Sequence, residues 1–269
     1  MMNKWSREET IIAFNLYCKI PFKDSSKSHP LVIEYANLLG RTPSALNMKI
    51  GNIGRLDPDL RSKGITGLAH GAKLEKDIWN EFHNDSERLA YESELLISKL
   101  SNRNIDESFA NDFENTTKGE EREVKIKQRI GQSFFRTTVL TSYNSTCCIS
   151  GVSHTGLIEA CHILNWSQYK SERTNPKNGL CLNSLLHKAY DKNLIAVTPN
   201  YKVIISDLLI ECIKDPIFKN YLKGINEKRI FLPNKFLPNK EFLEIRYNEY
   251  INANETKRNI ILTNPLKEL

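Results

Sequence analysis

The sequence lacks several features that would assign its 269 residues to a specialised class of protein. No stretch approaches the roughly 20 consecutive apolar residues of a membrane span, and the first residues lack the apolar core of a signal peptide. The six cysteines include no Cys-x-x-Cys pair, so neither a disulfide framework nor a four-cysteine zinc site is indicated. Hydrophobic residues make up 40% and charged residues 26%, which is ordinary for globular proteins. We therefore expect a soluble, cytoplasmic protein with reduced cysteines and no membrane partner.

Positive charge is concentrated in the second half of the chain. The net charge is +6 overall, and it divides into +1 for residues 1–100, −4 for residues 101–123 and +9 for residues 124–269. Summed lysine and arginine charge attracts phosphates at long range, so the second half has the field of a polyanion binder. A solvated basic surface without a partner explains the same charge equally well.

Residues 1–100 are predicted to form a helical domain that could recognise DNA. Ser6 followed by Glu9 is a capping-box pattern that begins a first helix. Two further helices flank the turn "GRTP", and two more are expected over residues 73–100. The pair around "GRTP" resembles a helix-turn-helix, with Arg41 and Lys49 as candidate DNA contacts. A helical hairpin that only packs is at least as common.

The acidic, Asn-, Ser- and Thr-rich stretch 101–123 is predicted to be a linker. It separates the helical domain from a second domain over residues 124–269. A helical pattern returns over residues 124–143, where Lys127, Arg129 and Arg136 are displayed as candidate nucleic-acid contacts.

Strands are predicted in the middle of the second domain. "CCISG" and "GLIEACHIL" suggest a β-hairpin around Gly151 to Gly156, and "LIAVT" and "KVIIS" suggest a second hairpin. Helical spacing appears over residues 179–190. The tandem "FLPNK" at 231–240 predicts an extended crossover before a last helix at about 240–252. The fold class expected is α+β.

Four polar residues with spacing suited to chemistry lie in this region. His162 ends a predicted strand, Asn178 follows in a loop, and His187 and Asp191 lie four residues apart on a predicted helix. Residues at i and i+4 share one helix face, so both could approach a divalent ion between the helix and the hairpin.

The segments "EACHILNW", "NPKNGLCLNSLLHKAYD" and "LIAVTPNYKVIIS" resemble the HNH endonuclease family, in the version found in McrA-like and restriction nucleases. The resemblance covers about residues 124–210, with a core motif at 147–206. It implies a ββα-metal nuclease domain, here with an added hairpin and a C-terminal helix. It also implies that a strand histidine (His162) activates water, a loop asparagine (Asn178) braces the motif, and a helix histidine (His187) holds the metal.

The chemistry of phosphodiester cleavage agrees with these roles. The reaction needs a base for water and a cation for the developing negative charge. An imidazole with a reference pKa near 6.5 can accept a proton at physiological pH, so His162 is our candidate general base. Arg129 and Arg136 are candidate phosphate clamps.

Cys161 departs from the family pattern, because many HNH nucleases have Asp or His immediately before the base. Asp191 could complete a site for Mg²⁺ or Mn²⁺, whereas ligation by the Cys161 thiol would favour a softer ion such as Zn²⁺ or Ni²⁺. Each residue also has a structural interpretation: a single strand histidine is more often a core residue, Asn178 could be a turn residue, and Asp191 could pair with a neighbouring lysine.

The functional prediction is a metal-dependent endonuclease acting on double-stranded DNA. A role in restriction or antiviral defence rests on analogy, and a homodimer is expected because double-strand cleavage usually needs two active sites. One alternative is a non-catalytic DNA-binding protein that retains an HNH scaffold, and another is an RNA-directed nuclease.

Overall fold

The computed structural model describes residues 4–65, 73–105 and 120–263, and the chain divides into two compact units. The first comprises Met1–Asn144, Arg173–Pro176 and Asn234–Phe236. The second comprises Ser145–Glu172, Lys177–Pro233 and Leu237–Leu269. These bounds differ from the predicted domains, because residues 124–144 belong to the first unit. Most of the predicted linker, residues 106–119, lies outside the described residues.

The first unit is helical. Its helices are α1 Arg7–Lys19, α2 Pro30–Leu38, α3 Pro43–Gly54, α4 Pro58–Arg61, α5 Lys73–Phe82, α6 Ser86–Leu100 and α7 Glu120–Ser142. The predicted capping box is present, with the Ser6 side chain accepting from Glu9 N and the Glu9 carboxylate accepting from Ser6 N. The predicted helices on either side of "GRTP" are likewise confirmed as α2 and α3, which pack on each other.

Helix α7 joins the first unit through its apolar face. Ile126, Ile130 and Phe134 are buried in the same core as α1 residues such as Ile11 and Phe14, and α7 packs against α1 and α6. Burying these side chains removes apolar surface from water, which stabilises the helix in this position. The helix was expected to belong with residues 124–269 because its helical pattern alone does not say which core it faces.

Lys235 enters the first unit from far along the chain. Its side chain is fully buried, and its ammonium donates to the carbonyl oxygens of Tyr17 and, at 2.9 Å, of Ile20. The ammonium also lies 4.4 Å from the centre of the Tyr17 ring. Carbonyls at a helix C-terminus have no partner within the helix, so Lys235 satisfies groups at the end of α1.

The second unit holds two small antiparallel sheets and four α-helices among its described residues. Its elements are β1 Ile158–His162, β2 Gly179–Asn183, α8 Ser184–Asp191, β3 Ile195–Val197, β4 Val203–Ile205, α9 Asp207–Cys212, α10 Pro216–Ile225 and α11 Lys240–Thr263. Strand β1 pairs with β2, and β3 pairs with β4. The mixed architecture confirms the α+β class, and the hairpin β3–β4 is as predicted. The last helix is longer than expected.

The predicted hairpin around Gly151 is wrong. The residues around Cys147 and Cys148 form a tight turn, in which Gly151 N donates to Cys147 O at 3.0 Å and Gly151 adopts a φ of +75°. The partner of β1 is β2, with His162 opposite Gly179. Residues 179–183 were expected to begin a helix, but they extend as a strand because Asn183 caps α8 through its side chain, which accepts from Leu186 N.

The order β1, β2, α8 positions the polar residues singled out in the sequence. His162 is the last residue of β1, Asn178 precedes β2 directly, and His187 and Asp191 lie on α8. Helix α8 packs against both strands. Within the described part of the chain, no helix combines the length and apolar character needed to span a membrane.

Candidate active site

A cleft of about 400 Å³ opens on the second unit beside β1 and α8. It is lined by Ala160, His162, Ile163, Asn165, Trp166, His187, Asp191 and Arg246. The residues come from β1, the segment after it, α8 and α11. The cleft therefore brings together three of the predicted site residues, His162, His187 and Asp191.

His162 is half-buried at the end of β1. Its ring meets the ring of Trp166 edge to face, with the centroids 5.3 Å apart. Strand pairing with Gly179 holds the backbone of His162, and the indole of Trp166 packs beside its imidazole. The imidazole is thus positioned by the sheet at one wall of the cleft.

The two nitrogens of His187 have different partners. Nδ1 forms a hydrogen bond with a carboxylate oxygen of Glu159 on β1, and Nε2 lies 3.6 Å from Asp191 Oδ2. The other carboxylate oxygen of Glu159 accepts from Ser184 Oγ at 2.9 Å. A carboxylate on Nδ1 favours the tautomer that carries its proton there, which leaves the lone pair of Nε2 for a cation.

Cys161 lies close to both His187 and Asp191. A sulfur, nitrogen and oxygen from Cys161, His187 and Asp191 all lie within 4.8 Å of one another. The thiol is fully buried and donates to the His162 carbonyl oxygen at 3.5 Å. Burial raises the pKa of Cys161 well above its ordinary value, and the nearby Asp191 carboxylate raises it further.

The donor set fits a divalent ion. An imidazole nitrogen and a carboxylate oxygen are ligands that Mn²⁺, Zn²⁺ and Ni²⁺ accept, and a carboxylate suits Mg²⁺. The carboxylate on the far nitrogen of His187 is also the usual neighbour of a metal-binding histidine. A buried, protonated thiol is a poor ligand for Mg²⁺, so Cys161 would take part only with a softer ion.

Asn178 is almost completely buried, and its hydrogen bonds link the two ends of the segment between β1 and β2. Its Oδ1 accepts from Leu164 N at 2.8 Å, and its Nδ2 donates to Glu172 O at 3.0 Å. Its own carbonyl accepts from Ile163 N at 2.8 Å. These bonds fix the backbone immediately after His162.

The basic residues predicted to contact nucleic acid all lie in the first unit, and none is among the described residues that line the cleft. Arg129 and Arg136 are exposed on α7. Lys127, on the same helix, lies 3.7 Å from the Glu87 carboxylate and over the Tyr91 ring.

The predicted DNA contact by Lys49 is corrected by the structure. Lys49 is only 4% exposed and donates to the buried Glu75 carboxylate at 2.6 Å. A side chain so placed is not available to a phosphate. Arg41 is engaged as well, because its guanidinium binds both carboxylate oxygens of Glu9 and stacks on Trp5. Both cations therefore have structural partners inside the helical unit.

Sequence reasoning missed three residues at the site: Glu159, Trp166 and Arg246. Glu159 lies within the segment "EACHILNW" on the same strand as His162, so an acidic residue three positions before this histidine was an available signal. Trp166 lies in the same segment. Arg246 had no local signal, since it is 55 positions beyond Asp191 on a different helix.

The ββα arrangement and the cleft define a nuclease-type domain in which Cys161, His187 and Asp191 could together hold a metal ion. Residues 147–198 match the family described as HNH endonuclease, and this segment of the chain belongs to that family. The match spans β1, β2, α8 and β3 and includes His162, Asn178 and His187. An HNH domain implies a nuclease-type function on DNA, and such nucleases generally use a divalent metal. No curated protein matches the chain significantly.

Proposed function

We propose that this protein is a metal-dependent endonuclease that hydrolyses the phosphodiester bonds of double-stranded DNA. The observation that carries the proposal is the cleft that His162 shares with the pair His187 and Asp191. A base and a cation-binding pair at one surface are the two components that phosphodiester hydrolysis requires. The match to the HNH endonuclease family supports the same assignment.

His162 acts as the general base in this proposal. Its imidazole accepts a proton from a water molecule, whose oxygen forms a bond to phosphorus. The bond between phosphorus and the bridging oxygen breaks, and the leaving oxygen takes up a proton from solvent. Asn178 holds the backbone next to His162, so the position of the base depends on a buried amide.

His187, through Nε2, and Asp191, through its carboxylate, would hold the ion. Mg²⁺ or Mn²⁺ suits these two residues, and Zn²⁺ or Ni²⁺ suits a set that includes Cys161. When bound, a divalent ion supplies positive charge next to the phosphate oxygens. Glu159 holds the His187 ring through Nδ1 and so presents Nε2 to the cleft.

The biological setting is proposed as restriction or antiviral defence in the cytoplasm. The exposed cations Arg129, Arg136 and Lys127 on α7 would add contacts to the DNA backbone. The α2–α3 pair is a candidate for sequence recognition. A homodimer would supply two active sites, as cleavage of both strands usually requires.

A plasmid digest with purified protein tests the proposal. Supercoiled DNA is incubated with Mg²⁺, Mn²⁺, Zn²⁺ or Ni²⁺, and with chelator as the reference. We expect cleavage with at least one ion, loss of cleavage in His162→Ala, and unchanged cleavage in His154→Ala, a histidine exposed in a turn. Single-stranded RNA added as a competitor tests the RNA-directed alternative, because an enzyme that prefers RNA cuts the plasmid less when RNA is present.

Three results would contradict the proposal. An intact plasmid in every metal, together with tight duplex binding, would identify a non-catalytic DNA-binding protein. Equal cleavage by wild type and His162→Ala would show that His162 is not the general base. Loss of both cleavage and duplex binding in His162→Ala, but not in His154→Ala, would assign His162 a binding or folding role instead.

A further inference from the structure

Helix α11 lies beyond the segment that matches the HNH family, yet it contributes Arg246 to the cleft. The helix is fixed to the nuclease domain, because it packs against β3 and buries Leu243 completely. Asn254 Nδ2 donates to Asn193 O at 2.8 Å, just after the end of α8. Arg246 therefore stands on a rigid element that the family motif does not include.

Arg246 lines the same cleft as His187 and Asp191, and two hydrogen bonds hold its guanidinium there. One terminal nitrogen donates to the Tyr190 carbonyl oxygen at 2.6 Å, and the other donates to Glu249 at 2.9 Å. The guanidinium carbon lies 5.0 Å from the centre of the Tyr190 ring. Tyr190 directly precedes Asp191, so the cation is fixed one residue from a candidate metal ligand. These two bonds leave further N–H donors of the guanidinium for another acceptor.

Arg246 also differs in charge from the other residues of the cleft. Among the described residues that line it, Arg246 is the only one that carries a permanent positive charge. Its side chain is 11% exposed, so solvent screens it less than it screens a surface arginine. A planar guanidinium in partial shelter is well suited to binding the oxygens of a phosphate through two parallel hydrogen bonds.

We propose that Arg246 binds a backbone phosphate of the substrate in this cleft, which makes α11 part of the substrate-binding site. The proposal rests on the proposed nuclease function, because the ligand it names is DNA. Glu249 competes with the phosphate for the same guanidinium. Removing the Glu249 charge therefore strengthens DNA binding, whereas removing Arg246 weakens it.

Duplex binding by the full-length protein tests the proposal without requiring catalysis. A fluorescein-labelled duplex is titrated in chelator, and its affinity is followed by anisotropy over about 50 to 200 mM KCl. We expect Arg246→Ala to lower the affinity about tenfold and to reduce the slope of log affinity against log salt by about 1. Arg246→Lys keeps the positive charge and therefore the salt slope. It is expected to lose part of the affinity, because lysine lacks the paired N–H donors of the planar guanidinium.

Two further variants separate phosphate binding from a purely structural role. Glu249→Gln is expected to raise the affinity by up to about fivefold. Arg229→Ala is the matched control, because Arg229 is an exposed arginine over the Tyr201 ring, outside the residues lining the cleft. It removes the same charge and is expected to change affinity and slope much less than Arg246→Ala.

The proposal is overturned if Arg246→Ala and Arg229→Ala shift the affinity and slope equally, or if Glu249→Gln fails to raise the affinity. A large loss of thermal stability in Arg246→Ala moves the decision to Arg246→Lys and Glu249→Gln, which retain a cation at the Tyr190 carbonyl. This assay measures binding and does not require cleavage. If the wild-type protein binds duplex but cuts no plasmid, the proposed nuclease function is refuted, and the comparison of the variants still shows whether Arg246 binds phosphate.

Discussion

Glu159 on β1 and His187 on α8 are joined by a hydrogen bond between a carboxylate oxygen and Nδ1. The same carboxylate accepts from Ser184 Oγ, at the first residue of α8. One acidic side chain therefore sets both the tautomer of the imidazole and its position relative to Asp191.

Glu159→Gln is expected to weaken metal binding by about 10- to 100-fold, as is usual when a partner of a metal-binding histidine is changed. The amide can present its NH₂ group to Nδ1, which favours the proton on Nε2 and blocks the nitrogen that faces Asp191. Titration calorimetry with Mn²⁺ measures the effect. Glu211→Gln, at an exposed position on α9, is the control, and equal affinities in the two variants would contradict the assignment.

Asp191→Asn and Cys161→Ala distinguish the two possible ligand sets. If His187 and Asp191 hold the ion, Asp191→Asn weakens Mn²⁺ binding about tenfold or more, since a ligand charge is lost. Cys161→Ala then leaves Mn²⁺ affinity nearly unchanged, because the thiol is buried and protonated. The opposite pattern, with Zn²⁺ binding lost only in Cys161→Ala, would identify a soft-metal site.

Asn178→Ala is expected to destabilise the protein by about 1 to 3 kcal/mol, because it leaves the buried N–H of Leu164 without its acceptor. Urea unfolding followed by circular dichroism measures this loss. Cleavage is also expected to fall, since the backbone after His162 is released. Asn200→Ala, in the exposed turn between β3 and β4, serves as the comparison, and equal stabilities of the two variants would argue against a bracing role.

Lys235 gives the protein a stability term that depends on pH. Burial lowers the pKa of Lys235 from its ordinary value of 10.5 to about 8 in the folded protein. Between about pH 8 and pH 10.5 the unfolded chain still binds a proton that the folded protein has released, so stability rises with pH across this interval. The rise is on the order of 3 kcal/mol when complete.

Comparison of wild type with Lys235→Met isolates this contribution. Methionine carries no titratable group, so the difference in unfolding free energy between the two proteins is expected to change from about pH 7.5 to about pH 9.5 in favour of wild type. Urea unfolding at both pH values provides the measurement. Parallel pH profiles for the two proteins would show that the folded-state pKa is not lowered.

The sequence predicted the elements whose signals are local. The capping box at Ser6 and Glu9 marks a helix start through side-chain bonds to nearby backbone N–H groups, and both bonds are present. The spacing of His187 and Asp191 is also local, because a single helix sets it. The β3–β4 hairpin followed from two β-branched runs around a turn.

Features set by distant packing were not predictable in the same way. The turn at Cys147 has the composition of a strand, and only its partners in space distinguish the two. The strand at Gly179 was hidden because its leucines continue the helical spacing of the apolar residues on α8, although Asn183 between them is a typical N-cap. Arg246 reaches the cleft through the packing of α11, which no spacing in the sequence discloses.

The first compact unit draws on three separate stretches of sequence. Thr174 packs so closely against Gly131 that a Cβ atom added at Gly131 would lie 2.9 Å from the Thr174 hydroxyl oxygen. Lys235 donates to a carbonyl oxygen at the end of α1. A truncated gene product ending at residue 144 would lose both segments and would leave carbonyls of Tyr17 and Ile20 without the ammonium. Deletion mapping at that point would therefore yield a damaged fragment, and internal point substitutions are the sounder way to dissect the two halves genetically.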